Sequence, residues 1–107
     1  MRNAVLPILG MLVAGLLAVI HPAFAHSPIC NCYNNSDKTV TCEGGFSDGA
    51  SAEGVAIRIV DARERVLIDG KMDKENKFSF KKPDEDFHVV FDAGQNHLVT
   101  IYRDDIE

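Results

Sequence analysis

Positive charge is scarce in this chain and unevenly placed. Eleven lysines and arginines stand against 16 aspartates and glutamates, and Arg2 is the only charged residue before Asp37. Such a balance argues against nucleic acid or an anionic membrane surface as partner, because both need clustered cations. Signatures of catalysis are missing as well. The chain holds no HExxH, no nucleophile elbow and no phosphate-binding glycine loop. No carboxylate pair is marked out by its surroundings, so no enzymatic activity is expected. Cysteine is limited to three residues, and none of them forms the C-x-x-C of thioredoxin-like redox sites. Helical periodicity, internal repeats and low-complexity tails are all lacking.

What is present begins with a leader. "AVLPILGMLVAGLLAVI" (4–20) is apolar, Arg2 precedes it, and "AFA" (23–25) puts small residues at the −3 and −1 positions of a signal-peptidase site. A basic start, an apolar stretch and an A-x-A boundary read as a secretory signal over residues 1–25, cut after Ala25. The run has the length of a bilayer span. Gly10, Gly15 and Pro22 and the small-residue boundary favour cleavage over an uncleaved anchor. "SPIC" before Cys30 lacks the small residue that a lipobox needs, so no lipid anchor is expected. The exported chain would start at His26 and carry all 16 acidic residues against 10 basic ones (the 11 less Arg2), a net charge of −6. A domain this small is often helped by a disulfide, a metal or a partner.

From Thr39 the punctuation is that of a β protein. "TVTCEGGF" (39–46) alternates and then meets a glycine pair. "VAIRIVD" (55–61) sets Val55, Ile57 and Ile59 on one face and Arg58 on the other. "VLIDGK" (66–71), "KFSFKK" (77–82), "FHVVFDA" (87–93) and "HLVTIY" (97–102) follow, separated by "DKEN", "PDED" and "GQN" turns. Two-residue alternation with turns at this spacing predicts six short strands in a small antiparallel β-sandwich over residues 39–107. Phe78, Phe80, Phe87 and Phe91 are expected in its core. Residues 26–38 are read as a cysteine-containing N-terminal arm.

The stretch "GVAIRIVDARERVLIDGKMDKENKFSFKKPDEDFHVVFDAG" (54–94) resembles the transthyretin-like or carboxypeptidase-regulatory-like β-sandwich module. That module pairs a Gly-Val-x-Val-x-Val strand and a hairpin with a "tDxxGxFxF" stretch and an aromatic strand. Asn76 stands where the module usually has glycine. The A-x-A-H boundary, the early cysteines, "CEGGFSDGASAEGV" (42–55) and "FDAGQNH" (91–97) are similar to small periplasmic proteins that accompany bacterial nickel and cobalt uptake systems. This resemblance implies a periplasmic location, a nickel or cobalt ion as ligand, and an inner-membrane metal transporter component as partner.

Cleavage after Ala25 would give His26 two nitrogen donors, its α-amine and its imidazole. Both lose a proton at modest cost near neutral pH, and together they can close a chelate on nickel, cobalt or copper. Cys30 and Cys32, one residue apart, would face the same side of an extended chain. Each is a soft donor, or one of them pairs with Cys42 in a disulfide, as an oxidising compartment favours. The odd count leaves one thiol over. His97 shares parity with Val99 and Ile101, and the "FDAGxxH" resemblance makes it a further metal candidate. Asp92 could orient an imidazole as an outer carboxylate. His88, opposite the phenylalanines, is expected to face solvent. The expected function is therefore transition-metal capture by His26 with Cys30, Cys32 and His97. A metal-free interaction module and a copper-handling protein are the alternatives.

Overall fold

A computed structural model describes residues 26–107; the leader read over residues 1–25 lies outside the described residues. Seven strands follow in order: β1 (Pro28–Asn34), β2 (Thr39–Phe46), β3 (Ala56–Asp61), β4 (Val66–Lys71), β5 (Lys77–Lys81), β6 (Phe87–Asp92) and β7 (Leu98–Tyr102). A single 3-10 turn, Arg103–Asp105, comes after them. Two antiparallel sheets form a sandwich, one ordered β1-β2-β5 and the other β4-β3-β6-β7. The sheets fold because alternate residues on each strand are apolar and have only each other to pack against. On β6, Phe87, Val89 and Phe91 are buried while His88, Val90 and Asp92 are only partly so.

The six expected strands are all present within a residue or so of their expected limits. The seventh, β1, lies in the segment read as an arm. It pairs with β2 along its whole length, from Pro28 opposite Phe46 to Asn34 opposite Val40. Local sequence conceals this strand, because asparagines disfavour β structure and its inward residues are two cysteines rather than branched aliphatics. Proline is tolerated there because Pro28 is the first residue of an edge strand.

The core joins Cys30, Cys32, Val40, Cys42 and Phe80 of one sheet to Ile57, Ile59, Phe87, Val89, Phe91 and Ile101 of the other. Two glycines fix how closely the sheets approach. A Cβ on Gly44 of β2 would sit 2.6 Å from Phe91 Cε1, and one on Gly70 of β4 would collide with the Phe78 ring. Each sheet thus leaves a gap that a phenylalanine of the other fills. Asn76 has φ 65°. Glycine takes that left-handed conformation freely and asparagine tolerates it. Its side chain adds a clasp, since Asn76 Oδ1 accepts hydrogen bonds from Ala52 N (2.7 Å) and Ser51 Oγ (3.0 Å).

Candidate metal-binding end of the sandwich

Pairing of β1 with β2 carries His26 and Ser27 to the far end of β2. Just outside the sheet, Ser27 N donates to Ser47 Oγ (2.9 Å) and Ser47 N donates to Ser27 O (2.8 Å). That fastening sets His26 beside Phe46 and Asp48. The imidazole stacks on the Phe46 ring, centroid to centroid 4.3 Å and only 9° from parallel. Its Nδ1 donates to Asp48 Oδ2 at 2.9 Å. The other carboxylate oxygen, Asp48 Oδ1, accepts from Ala50 N at 3.0 Å. Hydrogen bonds from His26 and from the Ala50 amide hold the Asp48 carboxyl below the usual carboxylate range. Both side chains stay open to solvent, His26 at 57% and Asp48 at 38%. His26 is therefore oriented as well as accessible.

Cys32 and Cys42, directly opposite each other on β1 and β2, form a disulfide. This settles the pairing that the spacing left open, and it corrects the expected ligand set, because the Cys32 sulfur has no thiolate to offer a metal. Cys30 is the free cysteine and is buried in the core. Burial pushes its thiol up to about 12, far from a form that binds metal. The common face expected of Cys30 and Cys32 is present, but it is the inward face. A disulfide fits an oxidising, extracytoplasmic setting.

His97 lies in the β6–β7 turn, where its N–H donates to Gly94 O (2.7 Å) and its carbonyl accepts from Ala93 N (3.0 Å). Its side chain is exposed, just short of the first residue of β7. Phe46 and Phe91 rings lie 6.4 Å apart, so this turn and His26 share one end of the sandwich. Asp92 is occupied elsewhere than on His97. Its Oδ1 accepts from Gly94 N (2.9 Å) and its Oδ2 from the Arg58 guanidinium (3.1 Å). Gly94 and then Arg58 hold this carboxyl low. His88 departs from the sequence reading. It lies on the outer face of β6, but its side chain is only 14% exposed, with Glu64 Oε1 3.6 Å from Nε2. Tyr102, its partner on β7, covers the ring.

Among the described residues, no group of three or more His, Cys, Asp and Glu side chains is close enough to hold a metal ion. The His26–Asp48 pair is the nearest arrangement at this end, and a third donor there would have to be the His26 α-amine. Phe46 and Asp48 were not singled out by the sequence. Asp48 is 22 positions from His26, and only the strand register joins them. Comparison of the chain with family models, with curated proteins and with solved structures finds no significant match.

Proposed function

We propose that this protein is an exported, periplasmic metal-capture protein that serves a nickel or cobalt uptake system and hands the ion to an inner-membrane transporter component. His26 is the principal ligand, through α-amine and imidazole. The observation that carries this reading is the stacked, hydrogen-bonded and solvent-open placement of His26 beside Asp48. An ion held on one exposed residue exchanges readily, which handover requires. His97 lies at the same end but is not grouped with His26 and Asp48, so it is left out of the ligand set. The net negative charge of residues 26–107 favours cation capture. Cys30 and Cys32 take no part, being buried and disulfide-bonded respectively.

The test is calorimetric titration of the processed protein with nickel, cobalt, copper and zinc, beside a variant with one extra residue inserted before His26. Binding that disappears on insertion is the expected result. Equal binding by both forms would refute the terminal chelate. A copper preference far beyond the ordinary divalent order would favour copper handling instead.

A metal-free interaction module is supported by one observation of its own. The outer face of the four-stranded sheet exposes Leu98 (53%), Tyr102 (59%) and Val66 (52%), apolar side chains that a partner could cover. Absence of binding for all four metals would leave this reading standing.

A further inference from the structure

We infer that Asp48 is the third ligand of the captured ion, so that the site offers two nitrogens and one carboxylate oxygen and takes a borderline divalent cation, not copper(I). This rests on the proposed role of His26. In a histidine that begins a chain, the α-amine and Nδ1 are the two nitrogens that can close a six-membered chelate ring. Nδ1 is the nitrogen that faces Asp48. Two donors bound at right angles about 2.1 Å from one ion lie about 3.0 Å apart. The Nδ1 to Oδ2 separation is 2.9 Å. An ion bound to both displaces the shared proton and sits to one side of the Nδ1–Oδ2 line, so the two donors keep their spacing while the ring turns in its plane to aim Nδ1 at the ion. As it enters, the Nδ1 proton leaves to solvent, and the amine binds in its unprotonated form.

The surroundings hold this geometry in advance. Ala50 N fixes the far oxygen of Asp48, and stacking on Phe46 confines the imidazole to turning in its own plane. The Ser27–Ser47 pair fastens the backbone between the two ligands. Donor chemistry then restricts the cargo to a divalent ion of this borderline class, copper(II) included. Amine, imidazole and carboxylate suit nickel(II) and cobalt(II), whereas copper(I) seeks thiolate or thioether sulfur. Neither inward-facing cysteine of β1 can supply a thiolate to this end. Three donors on one side of an octahedral ion leave the opposite positions to water, and then to the ligands of an acceptor.

The experiment uses the full chain expressed with its leader and recovered from the envelope fraction, its first residue established by intact mass. Wild type, Asp48→Asn and the variant with an extra alanine before His26 are titrated with nickel(II) and cobalt(II) chloride, and the visible absorption of bound cobalt is recorded. The thermal midpoint of D48N is measured to show that it is folded. The expected result is a nickel affinity weakened about tenfold or more in D48N, a changed cobalt spectrum, and no binding by the extended variant. Unchanged affinity and spectrum in D48N, with binding still lost on extension, would overturn the role of Asp48 and leave that of His26 intact. No binding by wild type that begins at His26, or recovery of a chain that begins elsewhere, would overturn both.

Discussion

Removal of the Cys32–Cys42 disulfide, by the double substitution Cys32→Ala/Cys42→Ala, should lower stability by roughly 2.5–3 kcal/mol. The bridge closes a loop of sequence separation 10, and the loop-closure entropy for that length is about 2.7 kcal/mol at 25 °C. For a unit of this size each 1 kcal/mol moves the melting midpoint by about 4–8 °C, so the midpoint should fall by about 10–24 °C. The effect should concentrate on β1. That strand is at the edge of its sheet, with β2 as its neighbour there. Differential scanning calorimetry of the two proteins gives the shift. Hydrogen exchange should show β1 amides losing protection before those of β3 and β6, which lie at the centre of the other sheet. A fall of less than about 4 °C would refute the reasoning. So would non-reducing peptide mapping of the wild type that joined Cys42 to Cys30.

Cys30 should resist alkylation by iodoacetamide at pH 8 in the native protein and react as a single thiol in denaturant, because its thiol is pushed up to about 12 and it is 6% exposed. Rapid native labelling would contradict its burial. Gly44→Ala should cost about 1–3 kcal/mol in chemical denaturation, since the new methyl meets the fully buried Phe91 ring and Met72. Gly45→Ala, with nothing within 4 Å of its Cβ position, is the control and should stay within about 0.5 kcal/mol of wild type. Acidification should destabilise the fold below about pH 4. The Asp61 carboxyl is held low by the Arg65 amide, then by the Arg63 amide and the Arg65 guanidinium. A carboxylate whose folded pKa is depressed stabilises above its unfolded pKa, and that contribution is lost as pH falls through the folded value. Asp61→Asn should therefore flatten the acid limb of the stability profile, and a limb as steep as that of wild type would argue against it.

Strand identity was legible wherever burial is decided by near neighbours. Ile57 with Ile59, and Phe87 with Val89 and Phe91, announce their faces through a two-residue period that no distant contact needs to supply. The same local rule failed for β1, whose inward residues are cysteines set among asparagines, and whose strand conformation follows from pairing with β2. It also failed for His88. Parity put that residue on the outer face, but a cross-strand tyrosine decides how much water reaches it.

The candidate site divides in the same way. His26 was marked by sequence, because an expected signal-peptidase boundary next to a histidine is a local pattern with a chemical meaning. The roles of Cys32, Cys30 and Asp48 were not, since each depends on which residue of another strand stands opposite. Register matched Cys32 with Cys42 and sealed Cys30 into the core. It also laid Phe46 and Asp48 against the imidazole. Sequence by itself determined the all-β architecture, because two-residue alternation acts over a few positions; the cleavage pattern that drew attention to His26 lies outside the described residues. Tertiary structure alone decided which side chains surround that residue, because a partner 22 positions away is chosen by the packing of whole strands.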